Sequence, residues 1–130
     1  MSKTFIVRDS AKALYENFHF AEAVASDGFL FCSGIIGMGS DGGVPDDIKE
    51  EFRNAWLGVV GLLEEAGSDV SNIIEYTTYH VGLQSSMADF MAVRDEFLSE
   101  PWPAWTAIGI TELAVPGARV EIRVTAKQAG

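Results

Sequence analysis

The spacing of apolar and polar positions changes period several times along the chain, and each change marks an element. Residues 4–8 and 20–25 read as short strands, and Asp27-Gly28 supplies the turn into a third run over 29–36. Phe29, Leu30, Phe31 and Cys32 are apolar at consecutive positions, which predicts a central strand covered on both faces. The glycine-rich segment 37–43 has no Gly-Lys-Ser/Thr and no dinucleotide-type spacing, so it reads as a plain turn. Pro45 suits the first turn of a helix, with Asp46 and Asp47 where the helix dipole favours negative charge. From there Ile48, Phe52, Ala55, Trp56, Val59, Leu62, Leu63 and Ala66 form an amphipathic stripe that stops at Gly67. The β-branched and aromatic residues of 73–81 predict a strand. Ser86-Met87-Ala88-Asp89 resembles a capping box ahead of a second helical stripe of Phe90, Val93, Phe97 and Leu98, stopped by Pro101-Trp102-Pro103. Residues 105–110 and 119–127 complete the strands, with a turn at Pro116-Gly117.

This order predicts an α+β fold: a mixed six-stranded sheet with two helices packed on one face, in a single domain over 1–130. Strand alternation leaves Phe31, Ile35, Trp105 and Ala107 as candidates for the other face. An apolar uncovered face needs a partner, so the pattern predicts a homo-oligomer. A hydrophobic content of 48% points the same way.

Composition narrows the function classes. The net charge of −10, from 19 acidic against 9 basic residues, excludes the clustered cations that nucleic-acid binding needs. No apolar run reaches membrane-spanning length and the N-terminus has no signal-type apolar stretch, so the expected location is cytoplasmic, with no membrane partner. The lone Cys32 forms no internal disulfide, in keeping with a reducing compartment, and reads as a small buried hydrophobe.

Few residues carry candidate chemistry. In the last strand Val120, Ile122, Val124 and Ala126 form one face, and Arg119, Glu121, Arg123, Thr125 and Lys127 the other. Glu121 therefore lies between two arginines, which would favour its ionised form; it suits a carboxylate that orients or deprotonates a water, or a cross-strand ion pair. Ser33, beside Gly34, has no partnered histidine and acid and so is no nucleophile, although its hydroxyl can bind a ligand. His19 and His80 have no ligands at metal spacing, and no metal site is expected. His19-Phe20 is a candidate pocket rim, whereas His80, at a strand end, reads as a surface or interface residue. Arg94, beside the second stripe, is either a solvated helix-edge residue or an anchor for an anionic substrate.

Taken in order, several segments carry a resemblance: His19-Phe20-Ala21-Glu22-Ala23, Asp27 through Gly34, Asp41-Gly42-Gly43-Val44-Pro45, Leu63-Glu64-Glu65-Ala66-Gly67, Pro103-Ala104 and Val120-Glu121-Ile122. The chain resembles the RidA-type reactive-intermediate deaminases, also described as L-PSP endoribonuclease-like proteins. The resemblance implies a chorismate-mutase-like fold, a homotrimer with pockets between subunits, and cofactor-free hydrolysis of enamines or imines to a keto acid and ammonia. It makes Ser33 the pocket serine and Glu121 the water-orienting glutamate. It also implies four altered positions: Phe20 for a tyrosine, Trp105 for the arginine that grips a substrate carboxylate, Ala107 for a cysteine, and Arg94 for an asparagine. An indole donates one hydrogen bond and cannot replace a bidentate guanidinium. The expectation is thus a deaminase of altered specificity; the alternative is a non-catalytic small-molecule-binding or regulatory trimer.

Overall fold

A computed structural model describes residues 2–129. In chain order the elements are β1 (Thr4–Ile6), α1 (Lys12–Phe18), β2 (Ala23–Ser26), β3 (Phe29–Cys32), β4 (Ile35–Ile36), α2 (Ile48–Glu65), β5 (Ile73–Val81), α3 (Leu83–Arg94), β6 (Ala104–Ile110) and β7 (Val120–Lys127). One sheet holds the strands in the order β1-β2-β3-β7-β5-β6, with β4 also paired to β7. Every pairing is antiparallel except β5 with β6, which are parallel because α3 carries the chain across between them. The α+β class and the mixed sheet agree with expectation; among the described residues the sheet has seven strands rather than six, and there are three α-helices rather than two.

The extra strand arises at Ser33-Gly34. Phe31 pairs with Thr125, yet Ile35, four residues on, pairs with Ile122, three residues back. That one-residue slip is a bulge, and it exchanges the two faces of the strand. Ile35 consequently packs on the core beside Gly58, while Ile36 takes the outer face opposite Glu121. The assignment of Ile35 to the open face is therefore corrected. Phe31 does lie there, 47% exposed, as does Phe29, so β3 is bare on one side and not covered on both.

The extra helix, α1, contributes no buried residue. Its seven residues present Leu14, Tyr15 and Phe18 to the surface, so it shows no core-facing stripe to read. It closes at His19, whose φ of 62° is left-handed. The start of α3 also differs from expectation. The helix begins after Gly82, and Ser85 and Ser86 donate their hydroxyls back to the Gly82 carbonyl at 3.0 and 3.1 Å. Ser86 is thus inside the first turn and caps nothing. The helix ends at Arg94, well before Pro101, although Phe97 and Leu98 still pack on the core.

The core lies between α2, α3 and one face of the sheet. Phe52, Trp56, Leu62, Leu63 and Phe90 meet Leu30, Val120 and Ile122, all fully buried. Asp47 caps α2 by accepting from Lys49 N at 3.2 Å, and Gly67 (φ +79°) follows its end as predicted. The 37–43 segment is a loop, but Gly37 is more than a turn residue. Its α-carbon abuts α2 so closely that a Cβ would sit 2.0 Å from the Glu51 carbonyl oxygen.

Candidate active site

Alternation along β7 places Glu121 on the open face, between Ile36 of β4 and Tyr79 of β5. The bulge at Ser33-Gly34 brings backbone directly against it: a Cβ on Gly34 would run into the Glu121 carboxyl group, so any larger residue there must displace that side chain. Ser33 holds that bend, its N–H donating to the Glu22 carbonyl and its hydroxyl to the Ala21 carbonyl, both at 2.8 Å. With its proton committed to backbone and no base beside it, Ser33 is a positioning group and not a nucleophile.

Glu121 is half-buried, and burial pushes its pKa above the ordinary carboxylate range. The expected support from two arginines is absent. Arg119 turns to the helix side, where Nε donates to Glu51 Oε1 at 2.7 Å and its backbone N–H to Oε2 at 2.6 Å. Its guanidinium also donates to the carbonyls of Pro45 and Asp46. Arg123 stays on the open face but makes no ion pair with Glu121 among the described residues. The site is thus a carboxylate that keeps a raised proton affinity, which suits it to take and return a proton.

Glu121 lines one of two adjoining hollows. One, of about 440 Å³, is lined by Phe20, Phe31, Cys32, Ser33, Gly34, Ala114, Glu121 and Arg123. The other, of about 450 Å³, shares Phe20, Phe31 and Ser33 and adds Phe5, Tyr15, His19, Ala21 and Val24. His19 and Phe20 both line the second hollow. The Cys32 thiol is 3% exposed and burial raises its pKa to about 11, so it is inert.

Trp105, Ala107 and Arg94 lie elsewhere. The parallel register pairs Trp105 with Tyr76 and Ala107 with Thr78, on the helix-packed face of the sheet. Placing these two residues on the open face is therefore wrong, because register with β5 and not hydrophobicity decides the side. Trp105 stacks on Tyr76 (5.8 Å, 8°), lies 5.9 Å from the Phe90 ring and donates from Nε1 to Thr78 Oγ1 at 2.9 Å. Arg94 covers it: Cζ is 5.0 Å from the Trp105 ring and 5.5 Å from that of Trp102. Arg94 Nε donates to Asp95 Oδ1 at 2.9 Å. Burial works against its charge, but Tyr76 and Asp95 outweigh it and hold the guanidinium more firmly protonated than usual.

Beneath this stack lies His80, which reads from the sequence as a surface or interface residue. It is fully buried and faces the helices, with Nε2 2.7 Å from Thr78 Oγ1 and the ring edge against Phe90 at 4.8 Å. Burial drives its pKa down to about 4, so it is neutral at physiological pH. The alternation of Tyr76, Thr78 and His80 was the available signal. It was masked because two of the three are polar. Within one chain the candidate residues therefore form two groups on opposite faces of the sheet: Phe20, Ser33 and Glu121, and apart from them Trp105, Ala107 and Arg94. Among the described residues no cluster of histidine, cysteine and carboxylate groups could hold a metal ion, and no helix is long and apolar enough to cross a membrane.

Comparison with known proteins gives this arrangement a context. The RutC family protein YjgH of Escherichia coli (strain K12) is 32% identical over 128 residues, covering 98% of this chain and 96% of that protein. A 2-iminobutanoate/2-iminopropanoate deaminase of Capra hircus is 32% identical over 114 residues, covering 84% of this chain and 80% of its own. The solved structure of a protein designated YJGH superposes with a TM-score of 0.88 at 31% identity, over 100% of this chain and 99% of the other. The family model described as Endoribonuclease L-PSP matches residues 10–128, and the protein belongs to that family, the RidA/YjgF group.

Proposed function

We propose that the protein hydrolyses imines or enamines of small metabolites without a cofactor, in the cytoplasm, with Glu121 as the catalytic carboxylate. The observation that carries this reading is the placement of Glu121: half-buried, outside any ion pair among the described residues, and pressed against Gly34 in the wall of a hollow. Water adds to the C=N carbon as the carboxylate takes its proton. The same carboxyl returns that proton to nitrogen to complete the carbinolamine, then carries the hydroxyl proton to the amino group as the C–N bond breaks, releasing ammonia and leaving the carbonyl. Ser33 and the backbone beside it hold the polar end of the substrate, and Phe20 forms the adjoining rim. The name of the Capra hircus relative, an iminobutanoate/iminopropanoate deaminase, supports the same reaction class.

The hollow is shallow in one chain, and the exposed aromatics of the open face would be covered in a homotrimer. In that assembly β6 of a second copy, at the edge of its sheet, closes the hollow with Trp105 and Ala107 as the facing wall. Trp105 makes that wall flat and aromatic where the family's deaminating members have an arginine. Arg94 braces the indole rather than standing free as a displaced anchor, since Asp95 and two indole faces already engage it. The altered specificity follows from this exchange of a cationic grip for an aromatic surface.

The test is ammonia release from imines generated in place by an amino-acid oxidase. Glu121→Gln should lower the rate by about 100-fold or more. It should also raise Tm at neutral pH. A buried ionised carboxylate opposes folding there, and the difference should vanish as pH falls and the glutamate protonates. Absence of any rate above buffer across acidic, aromatic and neutral imines would leave the non-catalytic binding trimer as the surviving reading.

A further inference from the structure

The chain has five arginines, and four of them are committed: Arg8 to Glu22, Arg53 to Glu96, Arg94 to Asp95 and Arg119 to Glu51. Arg123 takes part in no ion pair among the described residues. Partners are not scarce, since 19 acidic residues stand against 9 basic ones. Nor is Arg123 remote from chemistry. It follows Glu121 by two positions on the same face of β7, roughly 7 Å along the strand, and shares the wall of the same hollow. A guanidinium left open there has both donors of a carboxylate clamp available. The adjoining hollow is open and apolar, and Phe5, Tyr15, Phe20, Val24 and Phe31 line a surface with room for a ring.

We infer that Arg123 is the anion-binding group of this site, and that its ligands are 2-imino acids, and the corresponding 2-keto acids, bearing an aryl or large branched side chain. This rests on the reading of Glu121 as the group that activates water. The carboxylate sits on Arg123, the imine carbon faces Glu121, and the side chain lies among Phe5, Tyr15, Phe20 and Phe31. With an anion on Arg123, Glu121 is not drawn into an ion pair and keeps its role in proton transfer. The charge grip withdrawn from β6 by Trp105 is thereby supplied from β7, and the aromatic hollow sets the preference for a large substrate.

The experiment measures equilibrium binding of phenylpyruvate and pyruvate by titration calorimetry to the wild type, Arg123→Gln, Arg123→Lys and, as a control on the helix side, Arg53→Gln. Phenylpyruvate should bind about tenfold or more tightly than pyruvate. Arg123→Gln should weaken phenylpyruvate binding about tenfold or more, Arg123→Lys should retain part of it, and Arg53→Gln should leave it unchanged. With imines generated from phenylalanine, Arg123→Gln should raise KM while kcat changes little. Equal binding by wild type and Arg123→Gln, a preference for pyruvate, or no binding of either keto acid overturns the inference. Imine hydrolysis that is indifferent to Arg123→Gln removes Arg123 and leaves Glu121 standing. Arg123-dependent binding with no hydrolysis of any imine removes the catalytic reading and leaves the anion site.

Discussion

At the scale of single residues, the same side-chain types take different roles according to what surrounds them. Glu22, Glu51 and Glu121 are all carboxylates withdrawn from water. Burial acts to raise the Glu22 pKa, but Arg8 donates to it from its backbone N–H and from its guanidinium at 2.7–3.0 Å, and the net effect is a pKa below the ordinary range. Glu51 receives both the side chain and the backbone of Arg119. Glu121 receives neither, and of the three it alone stands without an arginine partner among the described residues. His80 makes the complementary case. Burial holds its folded-state pKa at about 4, below the ordinary imidazole value of 6.5, so the unfolded chain binds the proton first as pH falls. Stability should therefore be full above pH 6.5 and decline toward pH 4. Thermal melts across that window should show a steeper acid loss for wild type than for His80→Gln; equal slopes would remove His80 as the source.

At the scale of elements, the β3–β4 break sets the site. A continuous strand over 29–36 would keep Phe31 and Ile35 on one face and would hold no bend against Glu121. The bulge moves Ile35 into the core and places Gly34 under the carboxylate. Gly34→Ala would drive a methyl group into the Glu121 side chain, which has open space to yield into. The expected outcome is a folded protein with far-UV circular dichroism unchanged, and imine hydrolysis reduced by about tenfold to 100-fold, since a displacement near 1 Å is enough for such a loss. Wild-type turnover in that variant would show that the close approach does not position Glu121. The bulge leaves little trace in sequence because Ile35 and Ile36 are both apolar, and either could face the core. By contrast α2 is legible end to end: its stripe, its Asp47 cap and Gly67 all agree. So is β7, where alternation is strict and each buried position is apolar.

At the scale of the whole molecule, the sheet is covered by α2 and α3 on one face and left open on the other. Phe29 (39%) and Ile108 (39%), outside the two hollows, are exposed there in a chain of net charge −10. Covering such a face by like copies removes apolar area from water, while the charge elsewhere keeps the assembly soluble. Sedimentation should report the mass of a trimer for wild type. Ile108→Glu, an outward position on the edge strand, should shift that mass toward the monomer. It should lower imine hydrolysis in parallel, because the hollow loses its second wall. A wild-type monomer with full activity would refute the shared pocket and leave the Glu121 hollow to act alone.

The sequence by itself determined which segments become α2, β5 and β7, because periodicity is a local property of the chain. Only the tertiary structure decided the faces. A one-residue slip at Ser33-Gly34 and the parallel register of β5 with β6 sent Ile35, Trp105 and Ala107 to the helix side. Charge followed the same rule: which arginine is paired depends on the carboxylates that distant segments bring within reach. That is why Arg119 and Arg123, two steps from Glu121 in either direction, end on different sides of the sheet.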